Sequence, residues 1–154
     1  MFPALDLGKN VNYRTYRDDD DNNILQMAIE MDDFDTMKDI LKAFPTLENH
    51  KNENGNNSLI LAAKKNNFYM CEYLVENTRV DINALNDDNF SAFTYACKHD
   101  NARLALYLLD NGLTVYNIRT TDNKLPIEYT TDKYERKDVK LRILYSPKTK
   151  SRKS

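Results

Sequence analysis

The sequence Asn57-Ser-Leu-Ile-Leu-Ala-Ala recurs along the chain at a spacing of 34 residues. It aligns with Asn23-Ile-Leu-Gln-Met-Ala-Ile before it, with Ser91-Ala-Phe-Thr-Tyr-Ala-Cys after it, and with a weaker fourth copy, Leu125-Pro-Ile-Glu-Tyr-Thr-Thr. A fixed period of this length indicates a repeat protein in which each copy is one short supersecondary unit. Because one such unit cannot bury its apolar face alone, the copies are expected to stack into a solenoid.

Each copy carries the signals of two short helices. Asn23, Asn57 and Ser91 precede apolar helical patterns and are suitable N-caps, while Leu125 is followed by Pro126 at the favoured first helical position. A second pattern with helical spacing follows in residues 36–41, 70–75 and 104–109. The sequence therefore predicts a helix-turn-helix unit that is repeated three times, with an irregular fourth copy.

Two further sets of residues keep the same register. Residues that tolerate a positive φ, as the tip of a tight hairpin requires, stand two positions before each cap: Asp21, Gly55, Asn89 and Asn123. Small residues recur inside the first helix, where neighbouring helices must approach closely: Ala28, Ala62 and Ala96, with Thr130 in the last copy.

These features resemble the ankyrin repeat, whose pattern runs Asp-x-x-Gly-x-Thr-Pro-Leu-His-x-Ala-Ala and ends in Gly-Ala-Asp-Val-Asn. The second copy matches at Gly55, Leu59, Ala62, Ala63, Leu74, Asp81, Ile82 and Asn83, and the third at Asn89, Ser91, Phe93, Ala96, Leu108, Leu109, Gly112, Val115 and Asn117. The resemblance implies an all-α solenoid of stacked helix-turn-helix units with β-hairpin or loop fingers. The family's histidine is replaced by Gln26, Ile60, Thr94 and Glu128, which predicts an altered hydrogen-bond network and a looser stack.

The expected organisation follows from the register of the copies. We expect an irregular N-terminal cap at 1–17, repeats at 18–51, 52–85 and 86–119, and a degenerate C-terminal cap at 120–145. Residues 146–154 carry four positive charges without apolar content, so a disordered basic tail is predicted.

The composition argues against catalysis and against a membrane protein. The chain has two cysteines, both inside helical patterns, and two histidines without a second ligand at metal spacing, so no metal or cofactor is expected. No phosphate loop or nucleophile motif is present. Residues 1–9 lack the apolar segment of a signal peptide, and the longest apolar run, 104–109, is far shorter than the ~20 residues of a membrane span. We expect a monomeric, non-enzymatic protein of the cytoplasm or nucleus.

The resemblance implies that the chain binds another protein, as a peptide segment or a domain face, through a concave groove. The predicted partner-binding residues of the finger tips are Asn54, Asn56, Asp87, Asp88 and Phe90, and those of the first helices are Glu30, Met31, Lys64, Lys65, Lys98 and His99. The tips would be acidic and the centre basic, which suggests an acidic partner. We interpret Phe90 as an exposed anchor, and expect its truncation to weaken binding without much change in melting temperature. The alternatives are that the charges only keep the helix face soluble and that the ring packs against a neighbouring tip.

Three functions remain open from the sequence. The nineteen asparagines are typical of AT-rich genomes and favour a host-directed factor of a virus or intracellular microbe, acting in the host cell. An endogenous adaptor or inhibitor of a regulatory protein, such as a transcription factor or kinase, is the alternative. A nucleic-acid-associated nuclear protein that uses the basic tail is disfavoured, because the acidic tips would repel phosphates.

Overall fold

The computed structural model describes residues 12–145, and these residues form a stack of helix pairs. In chain order the elements are α1 (Ile24–Glu30), α2 (Phe34–Ala43), α3 (Ser58–Lys64), α4 (Phe68–Asn77), α5 (Ala92–Lys98), α6 (Ala102–Asp110), a 3₁₀ turn (Pro126–Tyr129) and α7 (Lys133–Tyr145). The predicted basic tail at 146–154 and residues 1–11 of the predicted N-terminal cap lie outside the described residues. Within 12–145 there is no strand, so the predicted fingers are turns and not β-hairpins.

The first helix of each unit begins at the cap that the sequence predicts. The side chains of Asn23, Asn57 and Ser91 accept hydrogen bonds from the main-chain N–H groups of the third helical residues, Gln26, Ile60 and Thr94. Each bond satisfies a donor that has no partner inside the helix. In the fourth unit, Pro126 starts only a short 3₁₀ turn.

The second helices have caps that the sequence analysis did not single out. Asp33, Asn67 and Asn101 cap α2, α4 and α6 through their side-chain oxygens. The residue before each of these caps lies in the left-handed region: Asp32 (φ 57°), Asn66 (φ 56°) and Asp100 (φ 52°). Aspartate and asparagine tolerate this conformation better than other residues with a side chain, which explains why these types recur there.

The core lies between the row of first helices and the row of second helices, and both rows contribute buried apolar side chains. As predicted, the small residues Ala28, Ala62 and Ala96 are fully buried. α1, α3, α5 and the 3₁₀ turn pack on one another in that order, whereas the second helices are in looser contact. α1, α3 and α5 are therefore packed more closely on one another than α2, α4 and α6 are, and we call the side of the first helices the concave face.

The C-terminal unit is irregular, and α7 takes the place of a second helix. α7 packs against α6 and buries Val139. Cys71 and Cys97 are free thiols buried in α4 and α5, and burial raises the pKa of both, that of Cys97 to about 12. In the part of the chain that the structure describes, no helix is long and apolar enough to cross a membrane.

Candidate functional site

Four turns, which we call the fingers (residues 18–22, 52–56, 86–90 and 120–124), project beside the first helices. Each finger is closed by a main-chain hydrogen bond from its first N–H to its last carbonyl, at 3.1 Å for Asn52 to Asn56 and 2.9 Å for Asn86 to Phe90. The predicted tip residues Asp21, Gly55, Asn89 and Asn123 all have positive φ. The sequence thus predicted the turn geometry of the fingers correctly.

Main-chain bonds also join each finger to the next. The N–H of Glu53 donates to the carbonyl of Asp20 at 3.0 Å, and that of Asp87 donates to the carbonyl of Asn54 at 3.0 Å. Thr121 repeats the bond toward the carbonyl of Asp88 at 3.1 Å. The fingers therefore form one continuous surface rather than four independent loops.

Buried asparagine side chains hold the fingers from within, an arrangement that the sequence analysis missed. Asn52 donates a side-chain hydrogen bond of 2.8 Å to Asn22, and Asn86 donates one of 2.8 Å to Asn56. The 34-residue recurrence of asparagine at these positions was the available signal, but it was interpreted as genomic bias. The structure gives these asparagines a structural role.

The structure corrects the prediction that Asn56 offers its side chain to a partner. Asn56 is 2% exposed, because its side-chain oxygen accepts the bond from Asn86 inside the stack. Asn54, by contrast, is exposed at the tip, as a partner-binding residue must be. The last residue of each of the first three fingers is thus buried, whereas the middle of the finger is exposed.

Phe90 occupies the equivalent buried position at the end of its finger, so the prediction that its ring is exposed is wrong. The ring is 6% exposed and lies 4.9 Å from that of Tyr95 and 5.3 Å from that of Tyr129, centroid to centroid. The fourth finger has Thr120 where the second and third have asparagine, and the hydroxyl of Thr120 lies 2.8 Å from that of Tyr129. An aromatic cluster therefore replaces the asparagine pair at this interface.

The hydrogen bonds at the position of the family's histidine are altered, as the sequence predicts. At the interface between the first two units, however, a glutamine side chain supplies hydrogen bonds in its place. The side-chain amide of Gln26 donates to the carbonyls of His50 at 2.7 Å and Asn56 at 2.9 Å, so it links two units. Thr94 forms only a capping box with Ser91. Ile60 carries no polar group in its side chain.

The outer tips of the first two fingers are crowded with carboxylates. Partial desolvation and the carboxylate of Asp20 raise the pKa of Glu53, with Asp18 and Asp21 adding to the effect. Asp87 and Asp88 are exposed on the third finger. The acidic character that was predicted for the tips is therefore a property of the surface.

Four exposed residues at the ends of α3 and α5 form what we call the basic centre: Lys64, Lys65, Lys98 and His99. The imidazole Nε2 of His99 lies at hydrogen-bond distance, 2.9 Å, from the carbonyl oxygen of Lys64, which ties the two helix ends together. Among residues 12–145 none of the three lysines forms an ion pair. Cations at helix C-termini also interact favourably with the helix dipole.

Glu30 and Met31, the predicted residues of the first unit, are both exposed at the end of α1, with Met31 48% exposed. They occupy the register positions of Lys64 and Lys65. The concave face thus runs from an apolar and acidic end at α1 to the basic centre at α3 and α5.

Comparison with known protein families identifies the family to which the chain belongs. A family model for ankyrin repeats, in three copies, matches residues 25–122, which is more than half of the 154 residues. No curated protein sequence matches the chain significantly. The match spans the three helix pairs α1–α6, apart from the first residue of α1, and the fingers at 52–56 and 86–90. The chain belongs to the ankyrin-repeat family.

Proposed function

We propose that this chain binds an acidic segment of a partner protein along its concave face. Ankyrin repeats are protein-interaction modules. The observation that carries the finer proposal is the basic centre, in which Lys64, Lys65, Lys98 and His99 are exposed side by side.

The arrangement of charge favours an elongated partner. The His99–Lys64 hydrogen bond fixes the distance between the ends of α3 and α5, so the cations present a preformed pattern. The carboxylates of the fingers stand at the edge, where they repel a partner in the wrong register. Such complementarity raises the association rate and fixes orientation more than it deepens affinity.

The host-directed role remains our preferred biological setting, and an endogenous adaptor or inhibitor remains the alternative. In either setting the partner would bind to the same concave face. The buried asparagine bonds of the fingers supply a rigid scaffold in either case, since a surface that is ordered before binding loses less entropy on association.

A titration with a short glutamate-rich peptide, followed by NMR, tests the proposal. We expect saturable shift changes at Lys64, Lys65, Lys98 and His99 that weaken as salt rises. The double variant Lys64→Ala/Lys98→Ala should lower affinity by about tenfold, equivalent to ~1.4 kcal/mol. The matched control is Lys42→Ala, which removes an exposed lysine from the last turn of α2.

Two results would count against an acidic protein segment as the partner. One is an equal loss of affinity in Lys42→Ala, which would indicate unspecific charge attraction. The other is tighter binding of labelled DNA or RNA than of the peptide, with the same lysines involved, which would favour the nucleic-acid function instead.

A further inference from the structure

A second candidate site lies on the opposite side of the molecule, between α2 and α4. A cavity of about 190 Å³ opens there, and its walls are Phe34, Tyr69, Glu72, Tyr73, Glu76 and Asn77. We call it the outer pocket. A cavity of ~150 Å³ accepts a molecule the size of benzene, so the outer pocket has room for the head group of one side chain.

The aromatic walls come from two helices. Tyr69 and Tyr73 are one turn apart on α4, and Phe34 is the first residue of α2. The rings of Phe34 and Tyr73 meet edge to face at 5.8 Å. Tyr69 is 57% exposed, and its ring centre lies 5.7 Å from that of Phe68 and 5.4 Å from the guanidinium carbon of Arg103. The pocket thus offers three aromatic rings, of which that of Tyr69 is the most exposed.

Two carboxylates share the same face of α4. Glu76 accepts a hydrogen bond of 2.7 Å from the hydroxyl of Tyr107, which orients it. Within residues 12–145, neither Glu72 nor Glu76 is part of an ion pair. The nearby cation of α2, Lys38, stands 4.7 Å from the centre of the Phe34 ring and pairs with Asp35 at 3.5 Å.

At the next interface, between α4 and α6, the place that is equivalent to the outer pocket is filled by the chain's own side chains. Phe68 and Tyr107 hold the register positions of Phe34 and Tyr73, and their rings meet at 5.5 Å. Arg103 holds the position of Tyr69, and its guanidinium carbon lies 3.9 Å from the centre of the Phe68 ring. At that interface α6 supplies its own cation to the aromatic pair. At the outer pocket the corresponding residue of α4 is Tyr69, so α4 supplies no cation, and Lys38 of α2 lies over the Phe34 ring instead. Among residues 12–145, the Tyr73 ring and the two carboxylates of α4 are left without a cation.

We propose that the outer pocket binds a cationic side chain, arginine or lysine, of a partner protein. Aromatic faces attract cations through the ring quadrupole, and the attraction grows when water is excluded. A guanidinium can also stack on a ring while it donates hydrogen bonds to a carboxylate. The chemistry is the opposite of that proposed for the concave face, so the two sites would engage different segments.

An NMR titration with N-acetyl-arginine amide tests this directly. We expect saturable shift changes at Tyr69, Glu72 and Tyr73, with none at the basic centre. The matched ligand is N-acetyl-citrulline amide, which has the same shape but a neutral urea in place of the guanidinium. It should produce much smaller changes, because it lacks the charge.

Two variants locate the binding. Tyr69→Ala and Glu72→Gln should each weaken arginine binding by about two- to fivefold. The control is Tyr134→Ala, which removes a 71% exposed tyrosine from α7 and should leave arginine binding unchanged. Unaltered amide spectra elsewhere would show that the variants fold. Equal binding of the citrulline ligand, non-saturable shifts, or no effect of Tyr69→Ala would overturn the proposal. Because Lys64→Ala/Lys98→Ala leaves the outer pocket intact, failure here is distinct from failure of the concave-face proposal.

Discussion

The side-chain amide of Asn86 donates a hydrogen bond of 2.8 Å to the side-chain oxygen of Asn56, one finger earlier in the chain. The side-chain oxygen of Asn86 also accepts the main-chain N–H groups of Asp88 at 3.0 Å and Phe90 at 2.9 Å. One buried side chain therefore shapes its own finger and ties it to the preceding one. Asn52 makes the same set of bonds one unit earlier.

Replacing this side chain should destabilise the stack. Asn86→Ala removes three hydrogen bonds and leaves buried groups without partners, so we expect the free energy of unfolding to fall by about 2–3 kcal/mol. Urea denaturation followed by circular dichroism measures the change. Asn54→Ala is the control, because that side chain is exposed. A loss no larger than that of the control would contradict a structural role for the pair.

The sequence predicted the repeat, the caps at Asn23, Asn57 and Ser91, and the positive φ of the finger tips because these depend on local chemistry. It did not predict which finger residues point inward. Asn56 and Phe90 are one or two positions from exposed residues, and their burial depends on hydrogen bonds and rings supplied by the next unit. The outer pocket was missed for the same reason, since its walls combine α2 and α4.

Phe90 should behave as a core residue. An exposed ring would let Phe90→Ala leave the melting temperature nearly unchanged, whereas burial of the ring against Tyr95 and Tyr129 predicts that the free energy of unfolding falls by about 3 kcal/mol. Thermal denaturation distinguishes the two. Phe90→Leu should recover part of the stability, because it restores apolar volume. A melting temperature for Phe90→Ala equal to that of Tyr134→Ala would mean that the ring contributes no packing.

Gly55 should tolerate no side chain. Its φ is +78°, and a Cβ atom there would lie 2.6 Å from the Asp87 carboxylate oxygen and 3.0 Å from the Asp87 main-chain nitrogen. Gly55→Ala combines an unfavourable backbone conformation with a clash against the next finger, so we expect a loss of about 1–2 kcal/mol. Denaturant unfolding measures it. The informative comparison is Asn89→Gly, where φ is +61° and glycine should be tolerated without loss of backbone stability. Equal effects of the two substitutions would argue against this geometry.

Glu135 should make the C-terminal unit sensitive to pH. Glu135 lies in the first turn of α7 and is 8% exposed, and one of its carboxylate oxygens has no hydrogen-bond partner among residues 12–145. Burial raises the pKa of Glu135 to about 7, and the carboxylates of Asp100 and Asp132 add to the effect. The neighbouring Arg136 donates to the carbonyl of Thr130, and the charge of Glu135 adds to the rise in the pKa of Cys97 that burial causes.

The sign of the effect follows from proton linkage. A raised pKa in the folded state means that the folded chain binds the proton more tightly than the unfolded chain does, so this contribution to stability is fully present below pH 4.5 and is lost as pH rises through about 7. We expect the melting temperature to be a few degrees higher near pH ~5 than near pH ~8. Glu135→Gln keeps the shape without the titration and should remove this part of the pH dependence, whereas Glu30→Gln, at an exposed site, should retain it. Amide hydrogen exchange of α7 would localise the change, because opening of the last unit alone exposes Glu135 to water. Identical pH profiles for Glu135→Gln and the unmodified chain would exclude this carboxyl group as the source.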